Sequence, residues 1–186
     1  GQMRTEGVKF RCNSHIGVDI TAQSLLDGFD ALVLAGGSEK PRDLPVPGRD
    51  LRGVHFAMDF LPQQNKRNAG DSIETDLEIS AKNKHVIVIG GGDTGSDCVG
   101  TCHRQGALSV TSFELMPEPP EKRSEDQPWP FWPMRLRTSS SHQEGGERRW
   151  SILSKQFLGE SGHVIGIETV DVTFSERTGQ HPQMLE

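Results

Sequence analysis

Residues 84–115 read Lys-His-Val-Ile-Val-Ile-Gly-Gly-Gly-Asp-Thr-Gly-Ser-Asp-Cys-Val-Gly-Thr-Cys-His-Arg-Gln-Gly-Ala-Leu-Ser-Val-Thr-Ser-Phe-Glu-Leu. The order is strand, glycine turn, helix, second strand. Val86, Ile87, Val88 and Ile89 form an unbroken β-branched run, which predicts a parallel strand buried on both faces. Gly90, Gly92 and Gly95 follow in G-x-G-x-x-G spacing, between the strand and the helix, where a dinucleotide fingerprint requires them. Gly90 permits the tight turn, Gly92 admits a pyrophosphate to the backbone, and Gly95 lets the helix pack closely on the strand. The first amides of a helix have no partners of their own and carry partial positive charge, so they suit a pyrophosphate. The amides of Gly91, Gly92, Asp93 and Thr94 are the expected contacts. A carboxylate beside a pyrophosphate repels it, so the Asp93 side chain is expected to fix the turn or cap the helix.

The second strand is expected at 108–115, and Glu114 closes it, 19 residues beyond Gly95. A carboxylate there accepts from ribose hydroxyls and favours NADH. Lys122 and Arg123 follow in a proline-rich stretch, with Arg135 and Arg137 beyond, and basic groups of this kind suit a 2′-phosphate and therefore NADPH. The two signals point to different cofactors.

Composition sets outer limits. The chain has 186 residues, enough for one domain or one and a half. Apolar content is 33% and mean hydropathy −0.54, so the expected core is small for the length. The net charge of −6, with both signs interspersed, gives no basic footprint for nucleic acid. No run approaches the length of a membrane helix, and no charged-then-apolar leader opens the chain. The first residue is Gly1, as expected of a fragment. The three cysteines, Cys12, Cys98 and Cys102, are too few for a disulfide framework and too few to ligate an iron–sulfur cluster. Cys98 and Cys102 lie four apart on one helical face, where packing is the expected role, and a reduced cytoplasmic setting fits.

Upstream, Val8, Phe10 and Cys12 alternate with polar residues and predict a short strand. Thr21 is a candidate cap for a helix through Asp27. Phe29–Leu34 reads as a second strand that runs into Ala35, Gly36 and Gly37. Pro41, Pro45 and Pro47 make residues 40–48 an extended connector. A helix is expected over His55–Gln64, and a polar stretch with one short helical turn over 65–83. Downstream, residues 117–133 hold six prolines and two tryptophans and no regular pattern. A loop of that length is usually functional or disordered, and the aromatics favour order. Residues 138–149 read as a hydrophilic surface loop. Trp150–Phe157 and Val164–Phe174 read as paired strands joined by residues 158–163, with a phase change near Thr169 that predicts a bulge. Residues 177–186 read as a frayed end.

Several long stretches resemble one family. Val-Ile-Val-Ile-Gly-Gly-Gly-Asp-Thr-Gly-Ser-Asp-Cys-Val-Gly, Phe-Glu-Leu-Met-Pro-Glu-Pro-Pro and Pro-Trp-Pro-Phe-Trp-Pro are similar to the small (β) subunit of bacterial glutamate synthase and the matching part of the single-chain NADH enzyme. So are Phe-Asp-Ala-Leu-Val-Leu-Ala-Gly-Gly, Arg-Asp-Leu-Pro-Val-Pro-Gly and Arg-Thr-Ser-Ser-Ser-His-Gln-Glu-Gly-Gly-Glu. The resemblance implies a two-dinucleotide architecture of the glutathione reductase kind. In it, 1–62 is part of an FAD-binding domain, 63–82 a linker and 83–186 a Rossmann-like NAD(P)H-binding domain. The expected class is therefore α/β with an antiparallel appendage. Gly36 and Gly37 would lie near the flavin or the domain crossover.

The implied reaction is hydride transfer from NAD(P)H to FAD, then electron flow through iron–sulfur clusters to the large (α) subunit, which makes glutamate from glutamine and 2-oxoglutarate. The flavin domain's own glycine fingerprint, the iron–sulfur cysteines and a closing flavin motif are not in this sequence, so a fragment inactive by itself is expected. The cofactors carry such chemistry, and no residue of this chain is expected to act as acid, base or nucleophile. Related flavoproteins of the dihydropyrimidine dehydrogenase or ferredoxin:NADP oxidoreductase kind, or a non-catalytic docking module, are the alternatives. Unpaired strand edges in the incomplete domain invite pairing with a second copy of the chain.

Overall fold

A computed structural model describes residues 1–37, 40–123, 125, 129–130, 135–175 and 184–185. The chain parts into two compact units, Gly1–Ser38 and Glu39–Glu186.

The first unit holds helix α1 (Gln2–Thr5) and helix α2 (Ala22–Gly28). Thr21 caps α2 as expected, its hydroxyl accepting from the Ser24 amide at 3.1 Å. The two expected strands do not form. Residues 8–12 and 29–34 are irregular, with only an isolated bridge from Ile16 to Ile20. Val33 is 89% and Leu34 96% exposed, and none of the described residues 1–37 is buried. β-propensity stabilises a strand only through its neighbours: an extended segment needs partners for its N–H and C=O groups and a surface to cover its apolar face. This unit supplies neither.

In the second unit the proline connector leads to helix α3 (Ala57–Ala69). This helix outruns its expected end at Gln64. Lys66 and Arg67 favour the last turn, and it stops at Gly70, a left-handed residue (φ +85°) whose amide donates to the Arg67 carbonyl at 3.0 Å. A 3₁₀ turn, Thr75–Leu77, follows, matching the short helical turn expected in this stretch. The segment after it is firmly held. Gln63 donates to the Leu77 carbonyl and accepts from the Ile79 amide, both at 2.9 Å, so one side chain does the work of a strand partner. Gln105 accepts from the Ala81 amide and donates to Gln64, both at 2.8 Å.

Strand β1 (His85–Ile89), helix α4 (Asp93–Arg104) and strand β2 (Ser109–Phe113) form the central unit. β1 and β2 pair in parallel, from His85 opposite Ser109 to Ile89 opposite Phe113. α4 lays Cys98, Val99 and Cys102 on Val86, Val88 and Val110, and Phe60 of α3 joins this core with Ala81. The expectation that β1 is buried on both faces is corrected: Ile87 and Ile89 remain 42% and 44% exposed. The packing helix lies on the Val86 and Val88 side, and the run of β-branched residues alone could not show how many layers the chain would supply.

Packing is the role of both helical cysteines. Burial raises the Cys98 thiol pKa to about 12 and that of Cys102 to about 11. Only thiolates react readily. In native protein at pH 8, a thiol reagent is expected to label Cys12, which is exposed, and to reach the other two only after denaturant is added.

The hydrophilic stretch 138–149 is not the simple surface loop its composition indicated. It contains helix α5 (Ser140–Gln143) and strand β3 (Glu147–Arg149), which pairs in parallel with β2. The sheet order is β1-β2-β3. Small residues make this possible. A methyl group on Gly100 of α4 would meet the Ser141 side chain at 2.8 Å, so the polar segment sits directly on the helix. Ser139 caps α5 in a reciprocal box with His142. The Ser139 amide donates to His142 Nδ1 at 3.3 Å, which requires that nitrogen to be unprotonated. Partial burial, reinforced by the Arg148 guanidinium, holds the His142 pKa below its ordinary value. A lowered folded pKa favours the neutral ring, so its stabilisation is fully present above about pH 6.5 and is lost as pH falls below it. His55 is shifted the same way, first by partial burial and then by Lys84. The stability difference between pH 7 and pH 5.5 is expected to shrink in His142→Gln, measured by urea denaturation at both values.

Strands β4 (Ile152–Glu160) and β5 (His163–Asp171) form the antiparallel appendage. Their connection is shorter than expected: the whole turn is Ser161 and Gly162, at φ +51° and +78°, which matches the right-handed twist of a hairpin. The bulge expected near Thr169 is present, with the extra residue on the partner strand, between Ser154 and Gln156. The proline connector runs along this hairpin: the Phe157 amide donates to the Pro47 carbonyl at 2.8 Å, and Val164 donates to Arg52 at 2.9 Å. Of the end expected to fray, residues 177–183 and 186 lie outside the described residues, and 184–185 form strand β7 (Met184–Leu185), paired with β6 (Thr173–Phe174).

Candidate functional site

The glycine turn sits at the carboxyl end of β1. Gly90 takes φ +114°, a conformation that side chains resist, and its amide donates to the Phe113 carbonyl at 2.8 Å, so the turn continues the β1–β2 ladder. Gly95 lies against it: a Cβ there would overlap the Gly90 carbonyl oxygen and stand 3.2 Å from its carbon. Gly92 differs, because a Cβ on it meets nothing within 4 Å. Its φ of −75° also suits any residue. Neither packing nor backbone geometry calls for glycine at this position, and what remains is the open space in front of it.

Gly92 is the N-cap of α4, and Asp93 is the first helical residue; no side chain caps this end. The capping role expected of Asp93 is therefore corrected. Its carboxylate lies in the first turn, where it interacts favourably with the helix dipole. The intrahelical bonding starts with the Ser96 amide donating to Gly92 at 3.0 Å. The helix therefore leaves the amides of Asp93, Thr94 and Gly95 to other acceptors.

Glu114 follows β2 directly. Its amide donates to the Arg149 carbonyl at 2.8 Å, and its carboxylate lies against Gly91, where a side chain would collide with it. The carboxylate and the glycine turn are thus neighbours in space. Lys122 and Arg123 are exposed in the irregular segment beyond β2. Gly36 and Gly37 belong to the other unit, in open space. Of the tryptophan cluster, Trp129 is 80% exposed, and Phe131 and Trp132 lie outside the described residues. Sequence reasoning passed over Arg149. Its register partner is Phe113, and its guanidinium stands 5.7 Å from that ring. Glu-Arg-Arg carries no strand signal, so nothing in the sequence placed it beside Glu114.

The residues around the glycine turn fit one dinucleotide. The Gly90–Gly95 turn offers an open approach, free helix amides and an adjacent carboxylate. Residues 1–37 offer no buried position and no sheet against which a flavin could rest. Among the described residues, no group of three or more His, Cys, Asp or Glu is placed to hold a metal ion. No helix among them is long and apolar enough to cross a membrane.

A parallel strand-turn-helix-strand unit with this glycine geometry defines a class, and the family comparison agrees: the pyridine nucleotide-disulphide oxidoreductase model matches residues 2–129, and the chain belongs to that family. Within it, the chain is similar to the glutamate synthase [NADPH] small chain of Mycobacterium tuberculosis, 50% identical over 175 residues. It is also similar to glutamate synthase [NADH] of Schizosaccharomyces pombe, 44% identical over 185 residues. The matches cover 92% and 95% of this chain but 36% and 9% of those relatives, so it spans about a third or less of their length. Among solved structures, FprA from Mycobacterium tuberculosis matches 93% of this chain and 50% of its own with a TM-score of 0.57 at 14% identity, a likeness of fold. The α/β, Rossmann-like class with an antiparallel appendage stands.

Proposed function

We propose that this chain is the NAD(P)H-binding portion of a glutamate synthase small subunit. The observation that carries this reading is the contrast between Gly95, fixed by packing, and Gly92, which packing leaves open. The Gly91, Gly92, Asp93 and Thr94 amides hold the pyrophosphate, with the Thr94 hydroxyl beside them, and Glu114 receives the adenosine ribose. When bound, the nicotinamide supplies the hydride. The chain's part is to orient it and to exclude alternative poses; no side chain here moves a proton.

In the whole protein the hydride passes to FAD, and electrons proceed through iron–sulfur clusters to a large subunit that makes glutamate from glutamine and 2-oxoglutarate. The relatives' names and the near-complete match of this chain support that assignment. The buried reduced cysteines accord with a cytoplasmic setting. Gly36 and Gly37 take their place near the flavin only when the rest of that domain is present, so this chain by itself binds the nicotinamide nucleotide without turnover. The exposed segment 29–34 then favours self-association through strand pairing.

The test is a calorimetric titration of the chain with NADPH and with NADH. Saturable one-to-one binding of either supports the reading, and no heat with both at millimolar concentration removes it.

A further inference from the structure

We propose that Arg149 is the residue through which this site recognises a 2′-phosphate, so that the chain accepts the phosphorylated nicotinamide nucleotide despite Glu114. The inference rests on the glycine turn being a pyrophosphate site, and it assigns a residue to the next part of the ligand.

Ile89, Phe113 and Arg149 are aligned across β1, β2 and β3, so the carboxyl ends of the three strands form one edge. Ligands of open parallel sheets lie beyond that edge. With a pyrophosphate over the turn that leaves β1, the adenosine extends to the end of β2, where Glu114 stands, and the next strand over presents Arg149. The Glu114–Arg149 backbone bond ties these two positions together.

The two arginines of β3 have different surroundings. Arg148 donates to the Arg137 carbonyl at 3.2 Å and stands 4.9 Å over the Trp150 ring, holding the crossover segment. Arg149 is exposed, and its side chain makes no hydrogen bond or ion pair among the described residues. Its one contact of note is the Phe113 ring, which orients the guanidinium while leaving its N–H groups available. Glu114 likewise has no ion pair among the described residues. An unpaired carboxylate and an unpaired guanidinium on adjoining strand ends suit a ligand that carries both ribose hydroxyls and a phosphate. A planar guanidinium meets a phosphate monoester with two parallel hydrogen bonds. Placement on a strand also fixes Arg149 through the β2–β3 ladder, whereas Lys122 and Arg123 stand in an irregular segment.

The experiment is calorimetric titration of the full chain and its Arg149→Gln and Arg149→Lys variants with two probes, adenosine 2′,5′-bisphosphate and ADP. Thermal denaturation of each variant serves as the structural control. In Arg149→Gln, binding of the bisphosphate is expected to weaken about tenfold or more while ADP stays within about twofold. Arg149→Lys is expected to recover part of the loss. Equal weakening of both probes, or an unchanged bisphosphate affinity, overturns the assignment while leaving the pyrophosphate site in place. Selective loss in Lys122→Gln/Arg123→Gln with none in Arg149→Gln transfers the role to that pair and overturns it too. Failure of the unaltered chain to bind either probe overturns this inference together with the nucleotide site itself.

Discussion

Gly92→Ala is expected to leave the stability of the chain within about 0.5 kcal/mol of the original and to weaken nucleotide binding about a hundredfold. The backbone at Gly92 is already in a conformation that alanine adopts, and its new methyl group meets no atom within 4 Å. Nothing in the folded chain resists it. A pyrophosphate does, because it must come within hydrogen-bonding distance of the amides that the methyl group would shield. Losing two charge-assisted bonds costs about 3 kcal/mol, which sets the scale. Gly95→Ala is the control. Its methyl group would strike the Gly90 carbonyl, pushing α4 off the turn, so stability and binding fall together. Calorimetric titration paired with urea denaturation separates the two patterns. If Gly92→Ala binds as well as the original, Gly92 is not a ligand contact.

Phe60→Ala is expected to cost about 3–5 kcal/mol and to lower the melting temperature of the second unit by about 10 °C or more. Phe60 is 7% exposed and reaches from α3 into the cluster of Ala81, Cys98, Val99, Cys102 and Val110. That cluster has few large members: apart from Phe60, its other five residues are alanine, cysteine and valine. The neighbours are small and anchored on α4, on β2 and on the segment before β1, so they close the cavity poorly, and a whole domain has only about 5–15 kcal/mol in reserve. A native-like urea midpoint for Phe60→Ala would show that α3 is dispensable to the unit. The expected loss would make α3, with the hydrogen bonds that Gln63 makes to Leu77 and Ile79 and that Gln105 makes to Ala81 and Gln64, part of the structure that holds the glycine turn.

The order of elements around the site was legible in the sequence because local chemistry dictates it. β-branched residues at Val86–Ile89, three glycines in fingerprint spacing and small apolar positions on one helical face admit few alternatives. The Thr21 cap and the hairpin with its bulge were readable for the same reason. Other features depended on neighbours. Phe29–Leu34 has every local mark of a strand and forms none, since a strand exists only where another segment pairs with it. Residues 138–149 have every mark of a surface loop, yet Gly100 leaves room for Ser141, and β2 has an open edge that Glu147–Arg149 fills.

The division at the site follows the same physics. The sequence by itself determined the turn, the helix that follows it and the carboxylate at Glu114, all within one run of chain. Only the tertiary structure decided that Gly92 is open while Gly95 is closed, that Asp93 is not a cap, that Ile87 and Ile89 keep an uncovered face, and that Arg149 stands beside Glu114. Side-chain type and spacing act over a few residues, whereas packing and backbone pairing bring together Glu114 and Arg149, 35 positions apart.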